Sequence, residues 1–317
     1  MDGVLNINKP AGPTSHDVVV RIRRLLGEKR VGHAGTLDPL ATGVLVVCVG
    51  KATRIVEYLV TEQKEYLAEM VLGRTTTTQD AAGEETSTAD TSHITREMVE
   101  AVLPRFTGRI LQTPPMVSAV KHEGRRLYEL ARKDIEVERE PREITIYQLE
   151  ITSFGPNPSC SQLPTLTIGL RVVCSSGTYI RTLCADIGAA LGVGGYIQSL
   201  VRTRVGRFGL EHAVNLEALE RAAAEGRLGE LMISMDEALS HLPAVTVDRL
   251  QAGLVARGGA IPASVAVPEG TLVRVRSSRG DLIAVGRAHP RAGGSVISPE
   301  KVFVEAESRQ AAPEAAV

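Results

Sequence analysis

Residues Gly32 to Leu45, GHAGTLDPLATGVL, constrain this chain more than any other stretch, because three glycines and a proline surround a lone carboxylate, Asp38. Pro39 disfavours helical geometry at Asp38, while Gly32, Gly35 and Gly43 permit tight turns or close backbone approach. The expected outcome is a rigid loop feeding the apolar run Val44 to Val49, which reads as a buried strand. Leu37, Leu40, Val44 and Leu45 pull the loop against a core. The carboxylate is then partly desolvated and must be paired, protonated or chemically employed. A turn or helix-capping aspartate is an equally good reading of these residues alone.

The pattern around this loop is that of alternating strands and helices. Val4 to Ile7 reads as a strand, and KPAGPTS as a loop ending at Ser15 as a helix cap. Val18, Ile22, Leu25 and Leu26 then recur at helical spacing until Gly27 stops the helix. Lys64 to Leu72 reads as a strand, and the polar Thr75 to Ser92 segment as a long, mobile surface loop. Thr95 caps a helix, and PPMVSAVKHEG gives a short strand and turn before the helix RLYELAR. Ile144 to Phe154 and Leu166 to Cys174 read as an antiparallel pair, followed by a helix over 178–191. Tyr196 to Val205 returns as a strand with Arg202 and Arg204 on one face. Helical segments around 216–239 lead to short strands near 245–247, 272–276, 281–285 and 297–304. The expected class is α+β, with a mixed, mainly antiparallel central sheet flanked by helices and a small β-rich second domain. Its divisions are 1–240, 241–306 and a disordered tail over 307–317.

Hydrophobic residues make up 43% of the chain and charged residues 23%, which excludes disorder for its bulk. Aromatics are only 3%, with no Trp, so the core must be aliphatic. The net charge of -1 gives no global sign of a nucleic-acid partner, but the cations cluster. Arg21, Arg23, Arg24, Lys29 and Arg30 form one group, Lys121, Arg125, Arg126, Arg132 and Lys133 a second, and Arg202, Arg204 and Arg207 a third. Each is either a stripe of an RNA-binding face or a solvated surface. Cys48, Cys160, Cys174 and Cys184 have neither zinc-ligand nor disulfide-framework spacing, which points to a reducing, cytoplasmic setting. Neither a leader nor a membrane span is expected.

Cofactor motifs fail. Gly43 and Gly50-Lys51 lie two residues too far apart for a P-loop, and LGVGGY at 191–196 follows a helix instead of opening one. What remains is a carboxylate able to act as nucleophile, acid or base without a cofactor. In CSSGTYIRTL, Arg181 falls in the first turn of its helix, where the helix dipole disfavours a cation. A carboxylate partner such as Asp38 would account for it, and so would solvent exposure in a frayed turn. Tyr66, on the strand QKEYLAEM, has core packing as its default role.

GHAGTLDPLATGVL resembles the catalytic signature of TruB-type tRNA pseudouridine synthases, and the agreement extends through most of residues 3–210. NKPAGPTSHDVV resembles their first motif, KEY their tyrosine strand, and CSSGTYIRTL their arginine motif. PPMVSAVKHEGRRLYELAR resembles the segment leading into their RNA-gripping thumb, near 115–142. Val117 stands where a tyrosine is often found.

The resemblance implies isomerisation of uridine 55 in the T arm of tRNA to pseudouridine, on a flipped-out base and without cofactor or metal. Asp38 would be the nucleophile, attacking the sugar or assisting glycal formation, with Tyr66 against the base and Arg181 paired with Asp38. His33 would help hold the distorted RNA. Asp80 would contact the uracil edge, and Lys9, Tyr179 and Leu200 would complete the substrate pocket. The second domain would be a PUA-like RNA-binding module, and the protein a cytoplasmic monomer with no obligatory protein partner. Two other readings are an RNA-binding or tRNA-folding factor with secondary isomerase activity, and a dyskerin-like synthase guided by partner RNAs.

Overall fold

A computed structural model describes residues 1–304 apart from 119, 123, 132, 134, 158–163, 264–266 and 292. Arg132, Cys160 and the tail expected at 307–317 therefore lie outside the described residues. The first apolar runs become β1 (Gly3–Lys9), β2 (Val31–His33), β3 (Thr42–Val49) and β4 (Lys64–Leu72). On β4 the two-residue period is plain: Tyr66, Ala68 and Met70 enter the core, while Leu67 and Glu69 face out. Next come β5 (Arg74–Thr76), β6 (Glu85–Thr88) and β7 (Gly108–Gln112), then the short pair β8 (Lys121–His122) and β9 (Arg125–Arg126). β10 (Arg142–Pro156), β11 (Leu166–Cys174), β12 (Gly195–Val205) and β13 (Phe208–Gly209) follow.

The main sheet runs β1-β3-β12-β4-β11-β10-β7. Only β3 and β12 pair in parallel along this path, so the sheet is mixed and mainly antiparallel, as the patterning implied. The helices are α1 (Ser15–Leu26), α2 (Val56–Val60), α3 (Arg96–Val102), α4 (Leu127–Ala131), α5 (Ile180–Ala190), α6 (Leu216–Ala224) and α7 (Met235–Ala238). α1 buries Val18, Val19 and Ile22, each burial stabilising by about 1.5–3 kcal/mol. It ends at Gly27, whose φ of 60° is the left-handed stop that the sequence suggested. Its N-cap, however, is Thr14 in a capping box with Asp17, which frees the Ser15 hydroxyl for another task.

Two segments differ from the sequence reading. Thr75 to Ser92 is not a featureless loop: β5 and β6 pair as a hairpin, and Asp80 and Thr91 are buried. Arg202 and Arg204 do not share a face either. A register shift in the β12–β4 ladder falls between them, leaving Arg202 1% exposed and Arg204 in solvent.

A second sheet, β14 (Ala244–Val247), β15 (Ile261–Ala263), β16 (Leu272–Ser277), β17 (Leu282–Arg291) and β18 (Gly294–Val302), runs β14-β16-β17-β18-β15. With α8 (Arg249–Ala256), an element the sequence reading missed, it encloses its own core around Val255, Val273, Ile283 and Ile297. Leu282, Val285 and Phe303 instead join Val4, Cys48, Ile55 and Tyr58, fastening this sheet to the β1–β3 end of the first.

Candidate active site

The loop from Gly35 to Ala41 has no ladder partners of its own, so its carbonyls need donors from elsewhere. Two buried cations and one hydroxyl supply most of them, and the Gly12 N–H donates to the Pro39 carbonyl at 2.8 Å. Lys9 Nζ, at the end of β1, donates to the carbonyls of Pro10 at 2.8 Å, Ala41 at 2.7 Å and Pro39 at 3.4 Å. Arg202, on β12, donates to Val44, Gly35 and Thr36 at 2.7, 3.1 and 3.2 Å. Ser15 Oγ accepts from the Leu37 N–H at 2.7 Å and donates to the Leu37 carbonyl at 2.9 Å. Gly43 closes the loop against β12: its φ is 99°, and a Cβ there would lie 2.3 Å from the Arg202 carbonyl oxygen.

This clamp presents Asp38 to Arg181, the second residue of α5. Arg181 Nε lies 2.8 Å from Asp38 Oδ2, with Arg181 3% exposed and the Asp38 side chain 37% exposed. The carboxylate supplies the negative charge that a cation at a helix N-terminus lacks. The remaining guanidinium donors are also used: Nη1 donates to the Thr78 carbonyl at 3.0 Å and Nη2 to the Val117 carbonyl at 2.8 Å. Asp80 Oδ2 lies 3.5 Å from Nη1. Val117 thus acts here through its main chain.

Asp38, Tyr66, Tyr179, Arg181, Leu200 and Arg202 line a cavity of about 220 Å³. Of the residues singled out from sequence, Lys9, His33 and Asp80 do not line it. Lys9 lies beneath the Asp38 loop and Asp80 behind Arg181. His33 ends β2, with Nδ1 buried and without a partner among the described residues. Burial lowers its pKa, and the neighbouring Arg202 and His16 act in the same sense, so the ring is neutral at pH 7.

Burial pushes the Tyr66 hydroxyl upward, with Arg202 opposing, and it raises Tyr179 with Ser118 opposing. Both phenols therefore stay protonated near neutral pH. Burial also lowers Lys9 to about 8, against the pull of Asp38. Lys64, a cavity residue the sequence reading passed over, is lowered to about 8 by the same cause. Its ammonium donates to the Val60 and Glu62 carbonyls at 2.9 and 2.8 Å. Gln112, on β7, was missed as well. Its side-chain amide brackets the main chain of Tyr179, donating to the carbonyl at 3.0 Å and accepting from the N–H at 2.8 Å.

The third basic cluster does not form a free cationic stripe. Arg202 is spent on the loop, Arg204 pairs with Glu211 at 3.1 Å and Arg207 with Glu237 at 2.9 Å. In the first cluster, Arg21 pairs with Glu220 at 2.7 Å. Chemically, the site offers a carboxylate partly open to a cavity, oriented by a buried guanidinium and flanked by two neutral phenols. Such a group can attack an electrophilic carbon or take up a proton.

Residues 23–180 match the TruB family pseudouridylate synthase N-terminal domain, and residues 181–240 match the tRNA pseudouridylate synthase B C-terminal domain. The tRNA pseudouridine synthase B of Symbiobacterium thermophilum is 52% identical over 258 residues, spanning 81% of this chain and 82% of that protein. This chain belongs to the TruB family of pseudouridylate synthases.

The Geobacillus thermodenitrificans tRNA pseudouridine synthase B is 45% identical over 307 residues, covering 96% of this TruB-family chain and all of that protein. Among solved structures, a chain of a Cbf5-Nop10-Gar1 complex superposes with a TM-score of 0.74 at 30% identity, covering 96% of this chain and 85% of that one. A chain of an H/ACA ribonucleoprotein bound to a substrate RNA containing 2'-deoxyuridine gives 0.73 at 28%, covering 96% and 86%. The two family matches meet between Ile180 and Arg181, at the start of α5, within one continuous core. The second TruB match ends before the second sheet begins.

Proposed function

We infer that this chain isomerises uridine in tRNA to pseudouridine, at position 55 of the T loop, as its own catalyst and without a cofactor. The observation that carries the reading is the 2.8 Å pairing of Asp38 with buried Arg181 at the wall of the cavity, in a chain of this family. The reaction breaks the bond from N1 to the ribose, turns the base and rejoins it through C5, with a proton lost at C5 and one gained at N1. Asp38 supplies the carboxylate that adds to the sugar or assists glycal formation. Arg181 holds it aimed through their ion pair, and protonated Tyr66 packs beside the base. A relative named for the tRNA enzyme shares 52% identity, against 30% for the Cbf5 complex, which favours the guide-free tRNA reading.

On this reading, residues 1–240 form the catalytic domain and 241–306 a PUA-like RNA-binding domain, the latter supported by the separate core of the second sheet. The protein works as a cytoplasmic monomer gripping the T arm. No helix among the described residues is long and apolar enough to cross a membrane. The experiment is incubation of purified protein with a T-arm stem-loop in the absence of any guide RNA. Pseudouridine at the T-loop position is the expected product; tight binding with the uridine unchanged would mean an RNA-binding factor instead.

A further inference from the structure

The segment from Thr76 to Asp80, polar and unremarkable in sequence, contains the one non-glycine among the described residues with a left-handed backbone, Gln79, at φ 62°. Such a conformation costs roughly 1–3 kcal/mol and persists only where the surroundings impose it. Here they do. The Gln79 N–H donates to the Thr76 carbonyl at 3.2 Å, and its own carbonyl accepts from Ile197 N–H of β12 at 3.1 Å. Ala81 N–H returns to the Ile197 carbonyl at 3.0 Å. The Gln79 side-chain oxygen accepts from the hydroxyl of Thr182, the buried residue that follows Arg181 on α5, at 3.0 Å.

The consequence lies on either side of Gln79. Thr78 offers its carbonyl and Asp80 its carboxylate to the same guanidinium nitrogen, Arg181 Nη1, at 3.0 and 3.5 Å. Thr78 reaches Nη1 through its main chain and Asp80 through its side chain, and the turn at Gln79 brings the two groups to one atom. The Asp80 carboxylate is itself fixed by the Thr78 hydroxyl and by the Ala82 N–H at 3.0 Å. The other face of the same guanidinium aims Asp38.

We propose that Gln79 is a positioning residue for uridine isomerisation: its left-handed turn sets Thr78 and Asp80 against Arg181, and so fixes the direction in which Arg181 holds Asp38. This rests on the reading of Asp38 as the reactive carboxylate. Gln79 does not itself line the cavity, so its disturbance should reach the rate and not the grip on RNA.

The test compares Gln79→Gly, Gln79→Asn and Gln79→Val for turnover on a T-arm stem-loop and for its dissociation constant, with Asp38→Asn as the inactive reference. Glycine and asparagine accept a positive φ but give up the bond to Thr182, so both should lower kcat no further than loss of that bond alone does, about three- to tenfold. Valine resists it, and an ångström-scale displacement of Arg181 should lower kcat about 10- to 100-fold with RNA affinity unchanged. Thr182→Val leaves the backbone alone and removes only the anchoring hydroxyl, so it covers the case in which Gln79→Val fails to fold. It should lower kcat about three- to tenfold, again without change in affinity. Parent-like turnover in both Gln79→Val and Thr182→Val would overturn the proposal, as would parallel loss of kcat and affinity. A parent enzyme that makes no pseudouridine, or an Asp38→Asn variant that matches it, would instead overturn the functional reading beneath it.

Discussion

The Gly35 to Gly43 loop and the Arg74 to Thr88 hairpin each deliver an aspartate to Arg181, and they hold it in opposite ways. Around Asp38 the backbone is fixed: Lys9, Ser15 and Arg202 bind the carbonyls on either side, and the carboxylate makes its ion pair while staying partly open to the cavity. Around Asp80 the carboxylate itself is tied, to Thr78 and Ala82, and is buried at 7% exposure. On the proposed reading, the group that reacts is positioned through its peptide neighbours and keeps its oxygens available, while Asp80 commits one of its oxygens to the turn.

The sharpest challenge to this contrast is Asp38→Asn, which preserves size and removes the charge. Loss of a nucleophile should lower turnover on the order of 10^4-fold or more while RNA binding persists, read by product formation and by titration. Arg181→Lys comes next. Lysine keeps the charge but cannot reach Asp38, Thr78 and Val117 together, so kcat should fall about 100- to 1000-fold. Parent-like turnover would mean that charge alone, and not the guanidinium's geometry, matters.

Lys9→Met probes the clamp. It strands the Ala41 carbonyl in a buried setting, which should destabilise the fold by about 1–3 kcal/mol in denaturant unfolding and slow turnover about tenfold. The equivalent loss at a surface pair such as Arg204–Glu211 is expected to stay under about 1 kcal/mol.

The smallest effect is that of pH. Lys9 and Lys64 lie near 8, below the ordinary 10.5, so above about 8 each loses a proton that serves a carbonyl and kcat should bend downward. Their stability contribution has the opposite sign. Between about 8 and 10.5 the unfolded chain binds more protons at these two sites, so their share of folding stability rises with pH. A kcat profile flat through that window would show that the clamp works without its charge.

How far this was legible depended on how local each cause is. Asp38 stood out because its glycines, its proline and the following strand are contiguous, and Arg181 because a cation in a helix's first turn is anomalous by itself. Thr14, three residues before Asp17, already carried the capping-box signature that places the cap one residue before Ser15. Gln79 was hidden in polar composition, since its main-chain partner Ile197 lies far along the chain, and Asp80 was named only through the family resemblance. Arg202 was misassigned to a surface stripe because its face is decided by a ladder irregularity against β4, which alternation within β12 cannot reveal. The α+β class and the strand limits of β4 followed from patterns that need no distant partner.

The most direct test sets the two aspartates side by side: single-turnover pseudouridine formation by Asp38→Asn and Asp80→Asn on RNA-saturated enzyme, with dissociation constants measured on the same preparations. The account predicts parent-like affinity for both, no product from Asp38→Asn and slowed but complete conversion by Asp80→Asn. Product from Asp38→Asn, or equal inactivity of the two, would contradict it.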